Sequence, residues 1–160
     1  MNMLTIREPA RDIKVINDVD VVVLGGSCTG VFAAVRAARL GAKVAIVEQA
    51  GAFGGTATNS YVCIWHSLTD ITYKKQIISG LTEEMIERLK AVPNGMRIRP
   101  PKENKWRAPH YSTYVLNTEE MKIELDRMVL EAGITPYLHT RYSAPYLEDG
   151  ELKAVIVENR

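Results

Sequence analysis

Apolar positions along the chain alternate between short continuous runs and helically spaced repeats. Val21-Val22-Val23-Leu24 is a continuous apolar run, the pattern of a strand buried on both faces. Val44 to Val47 is again short, apolar and largely β-branched. Between them, Cys28 to Leu40 is rich in alanine and carries its apolar residues at helical spacing, and Gly41 ends it. Lys74 to Ala91 predicts a second helix through Ile77, Ile78, Leu81, Met85, Ile86 and Leu89, weakened at Gly80, with Glu83, Glu84 and Glu87 facing out. A third helix opens at Asn117, with Glu120 three residues on as in a capping box. It buries Met121, Leu125, Met128, Val129 and Ala132, and stops at Gly133. Ile134 to His139 predicts a strand, placed at a sheet edge by Pro136. Two extended runs, Tyr142 to Leu147 and Leu152 to Glu158, flank Asp149-Gly150, a strong hairpin signal. Ahead of all this, Leu4–Ile6 and Ile13–Ile16 suggest short extended pieces in an arm over residues 1–17, where Pro9 discourages helix.

The order strand, Gly25-Gly26, helix, strand, Glu48 is the βαβ unit that holds a dinucleotide. Its physics is specific. The turn needs glycine because no side chain can intrude there. The free N–H groups and positive end of the helix then hold a pyrophosphate without a cationic side chain. Glu48 follows Gly25 at close to the usual offset of about 20 residues, where a carboxylate accepts from ribose hydroxyls and disfavours a 2′-phosphate. Read as G-x-G-x-x-G, the turn is Gly25-Gly26-Ser27-Cys28-Thr29-Gly30, with serine in place of the middle glycine. Ser27 is the smallest polar replacement, and its hydroxyl is a candidate phosphate donor.

The stretch from Val21 to Thr58 resembles the N-terminal segment of FAD-dependent oxidoreductases with a glutathione-reductase-like FAD domain. A second motif, Gly51 to Thr58 (GAFGGTAT), follows the second strand where those proteins carry a Gly-Gly loop past the flavin side of the cofactor. The resemblance implies an α/β fold, a Rossmann-like parallel sheet with flanking helices and a C-terminal β-hairpin. It implies FAD as cofactor, held by Gly25, Gly26, Ser27, Cys28, Thr29, Gly30, Glu48, Gly54, Gly55 and Thr56. It also sets Arg141 and Tyr142 near the adenine. The resembling proteins continue with a third meander strand and a further parallel strand. The resemblance therefore implies a truncated domain over residues 18–160, completed by a missing C-terminal portion or a partner chain, with an open edge on the Asp20–Leu24 strand.

Residues 67–112 read as an insertion-like segment. Just before and into it, Asn59 to Thr69 would run beside the flavin in the resembling proteins. His66 is the candidate catalytic residue, as a proton donor or acceptor, and Cys63 a candidate redox thiol. The competing reading is a half-buried strand with Tyr61, Cys63 and Trp65 on one face. Cys28, at a helix N-terminus, is either a reactive thiol or simply a small residue where the loop packs tightly; the second reading is preferred. Val92 to His110 carries Arg97, Arg99, Lys102, Lys105 and Arg107 against Glu103 alone. It is an anion-binding loop or a solvated excursion of a substrate domain.

Composition adds mainly exclusions. The chain has 160 residues, 46% hydrophobic and 24% charged, with net charge +1, so one domain with a real core is expected and nucleic acid is not. No apolar run approaches a membrane span, and the N-terminus lacks a hydrophobic signal core. Cys28 and Cys63 fit no metal or CxxC pattern, so no metal is expected and the compartment reads as reducing and cytoplasmic. The function expected is hydride or electron transfer between a small organic substrate and FAD. An NAD-linked reductase domain and a non-catalytic nucleotide-binding subunit or inert remnant are the alternatives.

Overall fold

The computed structural model describes residues 4–7, 9–72, 74–99 and 113–159. The parallel sheet forms where the apolar runs predict it. β1 (Val21–Leu24) pairs in parallel with β2 (Val44–Val47), which pairs in parallel with β6 (Thr135–Tyr137), so β2 is central and β6 an edge strand. Pro136, which has no N–H to offer a further neighbour, sits on that edge as expected. β2 is buried at all four residues. β1 is not: Val22 and Leu24 are 38% and 46% exposed. Val21 and Val23 face the core, but β1 is the other edge and nothing among the described residues covers its second face. The continuous apolar run therefore overstates its burial.

α1 (Cys28–Arg39) covers the sheet with Val31, Ala34 and Val35. α3 (Thr118–Glu131) lies beside it and buries Met121, Leu125, Met128 and Val129. Asn117 caps α3 by accepting from the N–H groups of Glu119 (3.1 Å) and Glu120 (3.4 Å). The reciprocal half of the capping box does not form, because the Asn117 N–H donates instead to the Gly95 carbonyl at 2.8 Å.

The middle of the chain departs furthest from expectation. α2 spans only Leu81–Ala91, since Gly80 has φ +70 and ψ −125, outside helical space. Residues 74–79 precede it as irregular backbone that leaves Ile77 and Ile78 exposed. Arg97 and Arg99 belong to a strand, not a loop: β4 (Met96–Arg99) pairs antiparallel with β5 (Thr113–Leu116), which also pairs with the two-residue β3 (Ile64–Trp65). The rest of the basic stretch, with Lys102, Lys105, Arg107 and His110, lies outside the described residues. Tyr61 is exposed with φ +54, so the strand expected from Asn59 shrinks to β3. Trp65 of β3 and Cys63 just before it are half-buried, and Trp65 meets Phe32 of α1 edge-on. The pieces expected at Leu4–Ile6 and Ile13–Ile16 form no strand.

Ion pairs tie the three helices together. Arg39 of α1 meets Glu84 of α2 at 2.6 Å, and Arg88 of α2 reaches Glu84 (3.1 Å), Glu124 (3.4 Å) and Glu131. Glu124, almost fully buried on α3, also pairs with Arg127. β7 (Thr140–Glu148) and β8 (Glu151–Asn159) form the hairpin. Asp149 and Gly150 both have positive φ, the backbone a two-residue type I′ turn requires.

Candidate functional site

The carboxyl ends of β1, β2 and β6 converge, and an open parallel sheet binds ligands beyond those ends. At the end of β1 the chain turns through Gly25 and Gly26 into α1. Gly30 lies so close under this turn that a Cβ there would collide with the Gly25 carbonyl oxygen. A Cβ on Gly26 would collide with the ring of Phe53. These approaches explain two of the glycines of the turn without reference to a ligand.

Ser27 caps α1. Its Oγ accepts from the Gly30 N–H at 3.2 Å, so the serine that replaces the middle glycine satisfies one of the helix's free donors. The N–H groups of Ser27 and Thr29 have no partner among the described residues and are left for a ligand. Glu48, at the end of β2, is only 8% exposed. Its two carboxylate oxygens accept from the N–H of Gly26 (2.6 Å) and of Ala50 (2.7 Å). The carboxylate thus ties the β2 end to the glycine turn. Each oxygen retains a lone pair for a ligand hydroxyl.

A cavity of about 280 Å³ opens here, lined by Leu24, Gly25, Glu48, Gln49, Arg141 and Tyr142 among others. A second, of about 410 Å³, continues past Gln49 and Arg141 to Ala50, His139 and Glu158. Arg141 is held by Glu158 across the hairpin at 3.0 Å, which keeps the Glu158 carboxyl below its usual range. His139 and Thr140 are wall residues that sequence reasoning missed. Their only signal was position, immediately after the third parallel strand. The Thr140 N–H donates to the Glu48 carbonyl at 2.9 Å, which brings the hairpin to the mouth of the cavity.

The Gly54–Gly55 loop lies against the same turn. Gly54 has φ +107, and a Cβ on it would collide with Thr58. Gly55 begins a short 3₁₀ turn that includes Thr56, which is exposed. The Cys28 thiol donates to the Gly54 carbonyl at 3.4 Å, and burial pushes its pKa up to about 11. It is a packed, protonated thiol, in line with the preferred reading. His66 stands apart: it is exposed, directly follows β3, and lines neither cavity. No group of acids, histidines and cysteines able to hold a metal exists among the described residues, nor any helix long and apolar enough to cross a membrane.

A glycine cradle, open N–H groups and a buried acid beside a cavity match what a dinucleotide requires. The family model for FAD dependent oxidoreductase matches residues 20–160. The chain belongs to the FAD dependent oxidoreductase family. FAD is the cofactor of that family, and this chain is part of such an oxidoreductase domain. Dihydrolipoyl dehydrogenase of Trypanosoma brucei brucei is 51% identical over 49 residues, 31% of this chain and 10% of that protein. Digeranylgeranylglycerophospholipid reductase of Methanoculleus marisnigri is 28% identical over 153 residues, 88% of this chain and 34% of that protein. In fold, the chain is similar to glycerol-3-phosphate dehydrogenase of Bacillus halodurans complexed with FAD. The TM-score is 0.56 and the identity 14%, over 91% of this chain and 31% of that one. The chain therefore spans between a tenth and about a third of the length of these FAD dependent oxidoreductase relatives and neighbours.

Proposed function

We propose that this chain holds the adenosine diphosphate part of FAD in an oxidoreductase that moves hydride or electrons between a small organic molecule and FAD. The observation that carries the reading is Glu48, a nearly buried carboxylate bound to the glycine turn and exposed to a cavity at the sheet's carboxyl edge. In this reading the N–H groups of Ser27 and Thr29, with the positive end of α1, take the pyrophosphate. Gly25, Gly26 and Gly30 let it approach, and Cys28 packs beneath. Glu48 accepts from the ribose hydroxyls, and Tyr142 borders the adenine. Gly54, Gly55 and Thr56 run along the flavin side. When bound, FAD supplies the redox chemistry; the residues here bind, orient and exclude water.

We assign His66 to proton transfer with the substrate, because it is exposed directly after β3 and an imidazole can both donate and accept a proton. His66→Ala should lower turnover of the complete enzyme and leave flavin binding unchanged; equal turnover would remove it from the mechanism. We further propose that residues 1–17 are an arm, that 67–112 are an insertion in the domain of 18–160, and that a further portion of the protein or a partner chain completes the FAD domain. Two free thiols fit a reducing cytoplasmic compartment. The test is a visible absorption spectrum of the purified chain after incubation with FAD and removal of free cofactor. Retained flavin absorbance supports the reading, and a colourless chain that also fails to bind ADP contradicts it.

A further inference from the structure

The glycine turn and the Gly54–Gly55 loop come from separate stretches, yet they interlock. The Gly54 N–H donates to the Gly26 carbonyl at 2.8 Å. Ser27 and Gly54 form an isolated parallel bridge, and a Cβ on Gly55 would sit 3.2 Å from that of Ser27. Thr58 Oγ1 anchors the loop from behind by donating to the Phe53 carbonyl at 2.6 Å. The Gly54 carbonyl accepts from the Ala57 N–H at 3.2 Å, which closes the short turn on itself. The Cys28 thiol is a further, side-chain donor to that carbonyl, beside the backbone bonds of the bridge, and it comes from α1.

We infer that Cys28 is a positioning residue whose thiol clips the Gly54 carbonyl, fixing the second glycine loop against the nucleotide-holding turn before any cofactor arrives. Three features support the clip. The loop glycine is itself buried, so a lost partner there is not replaced by water at no cost. The thiol remains protonated at neutral pH, so it is a donor and not a nucleophile. The backbone bond from Gly54 to Gly26 and the thiol bond from Cys28 to Gly54 run in opposite directions between the same two segments, which resists both sliding and lifting. The consequence for binding rests on the FAD reading: the flavin side of the cofactor meets a loop already in place.

The test compares the unaltered full chain with Cys28→Ala and Cys28→Ser. Hydrogen exchange without cofactor reads the clip directly. In Cys28→Ala the Gly54 and Gly55 amides should exchange about fivefold faster, and Cys28→Ser, which restores a donor, should return them close to the unaltered rate. Titration with FAD and with ADP reads the consequence. Cys28→Ala should weaken FAD about fivefold and weaken ADP by less, with recovery in Cys28→Ser. A merely structural role would weaken both ligands equally, and that result overturns the inference. So does a Gly54 amide in the unaltered chain that exchanges as fast as that of exposed Ser60, which needs no variant to fold. An unaltered chain that binds neither FAD nor ADP overturns the FAD reading, and the exchange rates still decide the clip.

Discussion

Replacing Glu48 removes the group on which the proposed nucleotide site turns. In Glu48→Ala the N–H groups of Gly26 and Ala50 both lose their acceptor. Gly26 is buried and Ala50 half-buried, so water satisfies the second better than the first. Loss of one buried partner costs about 1–3 kcal/mol, and the half-buried one adds less, so a stability loss of about 2–3 kcal/mol is expected. The glycine turn would lose its side-chain tie to the β2 end, since only the Gly26 bond joins the two, but would keep the backbone bond from the Gly25 N–H to the Val47 carbonyl at 2.8 Å. Binding should suffer separately: a lost ribose contact to a carboxylate is worth about 1.5–3 kcal/mol, or roughly one to two decades in affinity. Urea unfolding measures the first effect and calorimetric titration with ADP the second, at a temperature where both proteins are folded. FMN, which lacks the adenosine ribose, is the control and should show no change. Unaltered ADP affinity, or equal losses for ADP and FMN, would refute the assignment of Glu48 to the ribose.

Three further outcomes follow from single contacts. Gly30→Ala drives a methyl group into the Gly25 carbonyl; the chain should lose about 3 kcal/mol in urea unfolding and its ADP binding with it. Asn117→Ala removes the cap of α3 and should cost about 1 kcal/mol by thermal unfolding, with no change in ligand affinity. The Glu84 carboxyl is held down to about 2, first by hydrogen bonds from Arg39 and then by Arg88. A depressed folded-state pKa contributes stability above the ordinary carboxylate range that fades as pH falls through the folded value. Glu84→Gln should therefore cost about 0.5–1 kcal/mol at pH 7, discounted for its partial exposure, and nothing near pH 2; a constant penalty across that range would contradict the ion-pair origin.

The chain displays its sheet and hairpin openly and hides its middle. The β1–α1–β2 unit is legible because three local patterns agree: a β-branched run, a helical repeat and a glycine turn. Pro136 told the position of β6, and Asp149-Gly150 the hairpin, since each acts through its own backbone. The β3–β5–β4 sheet was not legible. Its strands are two to four residues long, carry exposed Arg97, Ile98 and Arg99, and pair across a long stretch of sequence. The false start of α2 at Lys74 has a similar cause: Ile77 and Ile78 fit the helical repeat, but the backbone at Gly80 does not continue it. For the candidate site, the glycines and acid stand out by spacing and the cap at Ser27 is local to the start of α1, whereas the wall formed by His139 and Thr140 depends on close approach in space.

In the proposed function, the β1–α1 turn and Glu48 recognise the adenosine diphosphate end of FAD. An equilibrium competition on the full chain tests it most directly, with FAD bound and ADP or FMN added. ADP is expected to displace FAD, and FMN is not. Displacement by FMN with indifference to ADP would contradict the proposal.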